Sequence, residues 1–483
     1  MQSHINVSTL RQLFQKSADI QFQGYTFNGY KVLFVTCEAM VDQQLLNEVV
    51  VPRVQQFIGS LENGLSKTII EAHLHIPDLK YVGDLEQSIS SLYTGHVLLL
   101  FEDSDLLYMS NIANKPNRNP EETRLEVPVK GPRDNFIEDV SVNVALIRKR
   151  LPTNSLCVEK FELGKRSKTT VALLYFDDIA SKEILNGIRS QLKKVDTDIV
   201  FSPTLLMENV NKSAMLFPRI DYTGRPDSAI QSLVRGRFLI FVDGTSYGVI
   251  LPVNLFLLVK TGEDNDTPVI YGSLERLMRI LGLSIGLTLP AFWLALTTYH
   301  QDQLPLQLLA TIVQANTGLP LPSSIEMLLM LLMFELFREA GLRLPTALGG
   351  TIGVVGGLII GDAAIRAGIT SPAMVVVIAI STIATFTLVN QSVITAVSVL
   401  RVCFILLTAF LGLFGLLMSV FFTLVYLSNI RTFGVPYMNI STDLSFRTFM
   451  QSVFRLPHNF YTKRPNMMDP TDATRSKKVD ENE

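Results

Sequence analysis

Residues Val402–Ile430 read VCFILLTAFLGLFGLLMSVFFTLVYLSNI, 29 residues without one charged side chain. A bilayer core of about 30 Å needs roughly 20 consecutive apolar residues in a helix, so this stretch predicts a membrane-spanning helical part. Comparable segments precede it. Ile280–Thr298 is uncharged for 19 residues and carries Trp293 near its far end, the interfacial position that tryptophan favours. Ala367–Leu400 is uncharged for 34 residues, with one span expected at about Ser371–Asn390. Ile325–Leu342 is apolar but contains Glu326, Glu335, Arg338 and Glu339. Leu344–Gly361 is uncharged but has six glycines in its 18 residues, so it reads as a span or a re-entrant segment. Leu304–Pro322, with Gln, Asn, Thr and three prolines, reads as an interfacial helix.

Charge density bounds this block. Residues 280–430 hold nine charged side chains, against 77 in the other 332 residues. The front is therefore of ordinary soluble composition, which excludes a chain that is membrane from end to end. It alternates short β-branched or aromatic runs (Tyr30–Cys37, His96–Asp103, Leu156–Leu163, Thr170–Asp177) with helix-like stretches (Asp42–Gly59, Asp84–Leu92, Asn135–Arg150, Ser181–Leu192). A hairpin-like pair follows, Arg237–Gly244 and Tyr247–Val253. That alternation predicts an α/β cytoplasmic domain of two subdomains plus an α-helical multi-span membrane domain. The expected boundaries are 1–125 and 126–270 for the subdomains, 271–430 for about five helical segments, and 431–483 for a hydrophilic C-terminal tail whose end is expected to be disordered. No internal repeat is visible in the sequence.

The N-terminal residues lack the 7–15-residue apolar stretch of a signal peptide, and the first insertable segment follows about 270 residues. The front is thus expected in the cytoplasm, with Arg276 and Arg279 on the inner flank of the first span. Beyond it the signals conflict. Five full spans put the tail outside; four and a re-entrant glycine segment put it inside, where eight basic residues against six acidic ones would favour it. A net charge of −2 gives no case for nucleic acid. Three separated cysteines, Cys37, Cys157 and Cys403, supply neither a disulfide framework nor a metal pair, and no cofactor is called for.

Charged groups inside a span usually face a cavity or a partner. Glu335 and Glu339 share a helix face, and Arg338 is close enough in sequence to pair with Glu335. Glu326 lies at the helix start, where a carboxylate suits the dipole. One reading makes this polar face an ion route; the other leaves Arg338 and Glu339 at the interface as snorkelling side chains. Gly349, Gly353, Gly357 and Gly361 are spaced by four, as closely packed helices require. Leu358, Ile359 and Ile360 could form a dry constriction with Asp362 at its mouth. The front half has no convergent catalytic set: G-x-S-x-G, H-E-x-x-H and paired Cys-His arrangements are missing, which argues against an enzyme.

Five stretches carry a resemblance: KGPRDNFIEDVSVNVALIRKR (Lys130–Arg150), FPRIDYTGRPD (Phe217–Asp227), RGRFLIFVDGTSYGVILP (Arg235–Pro252), ELFREAGLRLP (Glu335–Pro345) and GGTIGVVGGLIIGDAA (Gly349–Ala364). In this order and spacing, over roughly residues 125–435, the chain resembles the spore germination receptor A-subunit (GerA) family. The resemblance implies a non-enzymatic, multi-pass subunit of the spore inner membrane. It would assemble as a homo-oligomer, in contact with membrane lipid, with a permease-like B subunit and a lipoprotein C subunit. It also implies a nutrient-gated ion channel that triggers germination, with the B subunit sensing the nutrient. Arg133, Asn143, Arg225, Pro226, Asp227, Asp243 and Gly244 are the family-motif residues expected to be structural. The sequence departs at Gly224, where the family has a glutamate, at Glu263–Asp266, which lacks the family's tyrosines, and at Leu331, where a second intramembrane glutamate is common. The alternative is a solute or ion transporter carrying its own substrate, which should show inverted repeats and paired broken helices.

Overall fold

The computed structural model describes residues 6–61, 64–114, 134–210, 216–265, 267–343, 361–438, 446–461 and 463–474. The chain divides into two compact units. The first holds residues 1–213, 220–252 and 461–483; the second holds 214–219 and 253–460.

In the first unit, α1 (Val7–Phe14) leads into the hairpin β1 (Ile20–Phe27) and β2 (Tyr30–Cys37). Asn28 and Gly29 form its two-residue turn with φ of 46° and 90°. Asn-Gly tolerates that left-handed backbone, whose twist matches the strands. A helical stretch over 43–59 (α2), with a π-helical middle turn at Leu46–Val50, precedes α3 (Lys67–His73), β3 (Lys80–Tyr81), α4 (Leu85–Tyr93), β4 (His96–Phe101) and β5 (Leu106–Asn111). The sheet order is β1-β2-β4-β5-β3, antiparallel throughout.

The next stretch repeats this plan. After α5 (Val140–Arg150) come β6 (Leu156–Leu163), β7 (Thr169–Phe176), α6 (Lys182–Lys193), α7 (Pro203–Val210), β8 (Asp221–Thr223), α8 (Pro226–Val234), β9 (Phe238–Val242) and β10 (Gly248–Leu251). Their order is β6-β7-β9-β10-β8, again antiparallel. Both subdomains thus follow the succession α-β-β-α-α-β-α-β-β. This corrects the reading that the chain has no internal repeat. Topology depends on the placement of apolar runs and turns, which persists where residue identity does not.

Arg148 joins the two subdomains. Its side chain is fully buried. Nε donates to Asp19 Oδ2 at 2.9 Å and Nη2 to Asp19 Oδ1 at 3.0 Å, while Nη1 reaches the Thr153 carbonyl at 3.0 Å. The guanidinium lies 4.1 Å from the centre of the Tyr93 ring. Burial opposes its charge, but the adjacent Asp19 carboxylate and Tyr93 outweigh this and hold its pKa above the usual value. Around it, Ala18 N donates to Val158 O at 2.8 Å, and Lys160 pairs with Glu38 at 2.6 Å. Residues 463–474, read above as part of a hydrophilic tail, also belong here. Thr471 N donates to Ile179 O at 3.0 Å, and Met468 is fully buried.

The second unit is a helical bundle. α9 (Leu255–Leu258) precedes α10 (Val269–Thr298), which starts eleven residues before the expected span. Next come α11 (Leu306–Asn316), α12 (Ser323–Arg343), a helical turn at 361–366, α13 (Pro372–Thr385) and α14 (Gln391–Asn429). Among the described residues, α10 and α14 are long and apolar enough to cross a membrane. α13 has only 14 residues, shorter than the expected span, because Asn390 accepts from Ser392 N and Val393 N and starts a new helix. α14 is broken at Gly412 (φ 60°, ψ −140°). Beyond the break Gly415 lies against the Leu407 carbonyl. Leu416 packs with Phe404 and Ile405, and Leu427 and Ile430 with Val393–Leu400. The uncharged run Val402–Ile430 is therefore the bend and second arm of a helical hairpin, where one span was expected. A left-handed backbone beneath the Tyr299 ring requires glycine at 412.

Contacts order the bundle's two ends. Tyr299 meets Gly412, and Glu326 meets Thr370 and Ser371, at one end. At the other, Arg276 Nη1 donates to Phe454 O at 3.1 Å and Ser273 Oγ to Arg455 O at 3.0 Å. Residues 454–455, which follow α15 (Phe446–Val453), thus return to the end where α10 begins.

Asp19→Asn leaves the Arg148 charge buried beside a neutral amide, and should lower the stability of the first unit by about 3–5 kcal/mol. Replacing both residues, Asp19→Leu with Arg148→Met, should recover most of that loss. Thermal midpoints of the full-length chain in detergent give the answer; an unchanged midpoint in Asp19→Asn would show that this pair does not hold the subdomains together.

Candidate functional site

Glu335 and Arg338 of α12 converge on one buried group that the sequence reading passed over, Arg401 of α14. Its side chain is 1% exposed. Nη2 donates to Glu335 Oε1 at 3.0 Å and Nη1 to Ser381 Oγ of α13 at 3.0 Å. Glu335 Oε2 in turn lies 2.8 Å from Arg338 Nη2, and Arg338 Nη1 donates to Ser398 Oγ at 2.9 Å. Ser381 Oγ donates to the Gly286 carbonyl of α10 at 2.9 Å. One carboxylate therefore stands between two guanidinium groups, giving a net charge of +1, and four helices meet through it. Glu335 is a quarter exposed and Arg338 less so. The signal for Arg401 was visible: it is the only charge between Arg366 and Arg431.

Glu326 sits apart from this cluster. It is buried at the start of α12, accepting from Thr370 Oγ1 at 2.8 Å and Ser371 N at 2.7 Å. Glu339 is on the exposed side of α12, one turn beyond Glu335. Asp362 pairs with Arg366 at 2.7 Å on the surface. Leu358, Ile359, Ile360, Gly349, Gly353 and Gly357 lie outside the described residues, as does Arg133.

Among the described glycines, close packing occurs in α10. Gly282 and Gly286 have the small-xxx-small spacing and face α13. A Cβ on Gly286 would stand 2.6 Å from Thr385 Cγ2, and one on Gly282 would strike Thr387 Oγ1 and lie 2.5 Å from the Ala384 carbonyl. The spacing G-L-S-I-G was legible in the first span. Gly361, by contrast, has among the described residues only Val375 Cγ1 nearby, at 3.7 Å.

At the start of α10, Asp264 accepts from Arg276 Nε at 2.7 Å, Arg279 Nη1 at 2.8 Å and Thr261 Oγ1 at 2.7 Å. Burial alone would raise its pKa, yet the two guanidinium groups hold the carboxyl below its usual range. The two arginines that marked the inner flank in sequence are thus fastened by the acidic run before them.

In the first unit the motif residues bind their own backbone. The Asn143 side chain both accepts from Ile137 N at 2.8 Å and donates to Ile137 O at 2.6 Å. Asp243 Oδ1 accepts from Val140 N at 3.3 Å, and Gly244 N donates to Glu138 O at 2.8 Å, which fixes the first turn of α5. Arg225 forms a fork with Asp227 at 3.1 and 2.7 Å, and Pro226 opens α8. Gly224 O accepts from Phe136 N at 2.9 Å. Burial pushes the Cys157 thiol up to about 11 and Cys37 higher still, which suppresses the thiolate that reactive cysteines need. Among the described residues no group of His, Cys, Asp and Glu is placed to hold a metal.

Gly286→Leu should drive α13 from α10 and lower the yield of folded full-length chain, since overpacking a tight contact costs about 1–3 kcal/mol or more. Gly361→Ala should leave yield and thermal midpoint within about 0.5 kcal/mol of the parent. Equal yields for the two variants would remove the packing role assigned to Gly286.

Comparison with known proteins gives the chain a family. The family described as Bacillus/Clostridium GerA spore germination protein matches residues 8–467. Spore germination protein XA of Bacillus anthracis is 37% identical over 98% of this chain and 97% of its own length. Spore germination protein KA of Bacillus subtilis is 31% identical over 91% and 81%. The crystallised N-terminal domain of the A subunit of the Bacillus megaterium germinant receptor GerK3 aligns with 51% of this chain and 94% of that domain, at 26% identity and a TM-score of 0.39. With a match that runs nearly from end to end, this chain belongs to the GerA spore germination protein family.

Proposed function

We propose that this chain is the membrane-embedded A-type subunit of a spore nutrient germinant receptor, and that several copies surround an ion path whose opening triggers germination. A permease-like B subunit and a lipoprotein C subunit complete the receptor, and the B subunit senses the nutrient. Family membership supports the role in germination. The observation that carries the membrane and ion-path reading is the Arg401–Glu335–Arg338 cluster, because ionisable groups inside an apolar bundle usually mark a polar route. In this reading Glu335 and Arg338 present the partly exposed side of the cluster to the path, with Glu339 one turn beyond. Glu326 and Asp362 stand toward its outer mouth, and Leu358, Ile359 and Ile360 supply the dry gate.

The same reading orients the chain. The first unit is cytoplasmic, and the residues that return to the start of α10 bring the tail to that side. α11 supports this arrangement: it is uncharged, joins the far ends of α10 and α12, and of its residues only Ile312 is buried, as expected of a helix lying in the membrane interface.

Two experiments test this. In a receptor reconstituted into liposomes, Glu335→Gln should lower thallium influx several-fold with assembly intact, and Ile359→Ser should leak without nutrient because a hydroxyl holds water in the constriction. Unaltered flux in the first with a closed second would leave these residues structural. In intact cells and a Cys403→Ser background, Asn117→Cys and Asn459→Cys should resist a membrane-impermeant thiol reagent while Gln303→Cys is labelled; ready labelling of Asn117→Cys would reverse the orientation.

A further inference from the structure

The two sheets of the first unit present four edges: β1 and β3 in one, β6 and β8 in the other. An open edge is a row of unpaired N–H and C=O groups, and proteins blunt it with short strands, charges or cover. Three of the four are blunted. β3 has two residues, one of them Lys80, and β8 has three. β6 carries Glu159, Lys160 and Glu162, and its start is covered by the backbone of residues 16–18. The duplicated topology makes β6 an internal control, since β1 holds the same place in its own sheet. Yet β1 reads IQFQGYTF: eight residues without a charge or a proline.

The register shows which groups are open. Phe27 pairs with Tyr30 across the two-residue turn, so odd-numbered residues of β1 exchange hydrogen bonds with β2 and even-numbered ones point outward. Ile20 N already donates to Ser17 O at 3.2 Å. Phe22, Gly24 and Thr26 remain. A Cβ placed on Gly24 meets nothing within 4 Å, and the Tyr25 and Phe27 rings, 5.6 Å apart and stacked, are only half-buried beside this edge.

We propose that β1 pairs antiparallel with β1 of a second copy of this chain, joining two five-stranded sheets. Two arguments select a second copy. Among the described residues β1 is the only long uncharged edge, so its match in length is itself. A two-fold contact also sets like against like, which a charged edge would resist. The register that uses all three outward residues places Gly24 opposite the second copy's Gly24 and Phe22 opposite its Thr26. Gln23 and Tyr25 then meet on the other face. A two-fold contact closes after two copies, so it joins copies in pairs whatever other contacts build the receptor. It does not depend on the ion path proposed above.

The test uses full-length receptor in native membranes with Cys403→Ser. Opposed residues of a hydrogen-bonded antiparallel pair lie about 5.5 Å apart between Cα atoms, within disulfide reach. Gly24→Cys should therefore give a disulfide-linked dimer of this chain under mild oxidation, whereas Lys31→Cys, exposed on β2, should not. Adding Thr26→Pro, which removes an outward N–H and leaves the β2 ladder whole, should cut the dimer yield about tenfold. Gly24→Lys has room in the single chain, so its thermal midpoint should hold while a Gln23→Cys, Tyr25→Cys pair placed beside it loses the cross-linked dimer that the same pair gives with Gly24 present. No dimer from a folded, reagent-accessible Gly24→Cys, a disulfide to another polypeptide, or a yield indifferent to Thr26→Pro would each overturn the proposal.

Discussion

Arg401 is a guanidinium only 1% exposed, and four helices of the second unit meet around its charge. A buried charge is costly unless it is paired and hydrogen-bonded. Glu335 supplies the pair, Ser381 accepts from Nη1 and Ser398 from Nη2, and Arg338 balances the second carboxylate oxygen, while Arg401 Nε has no partner among the described residues. Those partners sit on three different helices, and Ser381 passes the connection to the α10 backbone. The helices can then hold one mutual arrangement, because each alternative would leave a charge alone. Gly282 and Gly286 make the arrangement possible by letting α13 come down onto the backbone of α10.

The first unit obeys the same constraint in a different setting. Two subdomains of one topology meet where Arg148 is enclosed by Asp19, Ser17, Thr153 and Tyr93. An apolar cluster of the first subdomain reaches Ala145 of α5, so the seam joins apolar packing to this polar pair. Replacing the pair by apolar groups could be as stable, but the ion pair admits only one register between the sheets. The family-motif residues work at a smaller scale. Asn143, Asp243 and Gly244 settle the entry to α5, the helix that carries Arg148 into the seam.

The break at Gly412 changes how the bundle is counted. An uncharged run of 29 residues looks like one long crossing, but the chain doubles back within it, and the following residues return to the end of the bundle where α10 begins.

Much was legible in the residues alone. Apolar length and charge density separated the two halves, because burial and insertion scale with composition over twenty residues and need no partner. Short β-branched runs marked strands such as Leu156–Leu163 to the residue, since a buried strand has no other way to be written. Asn28-Gly29 announced a hairpin and Gly282–Gly286 a packing face, both through local backbone requirements, although neither was taken up. Three things waited for the tertiary structure. The duplication of the α-β-β-α-α-β-α-β-β plan is a property of strand order, which single residues do not encode. The fold-back at Gly412 depends on the Tyr299 ring, over a hundred residues away. The pairing of Arg401 with Glu335 and of Arg148 with Asp19 spans 66 and 129 positions. Sequence shows that such charges need partners, but a Coulomb interaction acts over a few ångströms, and only the folded chain decides which groups come that close.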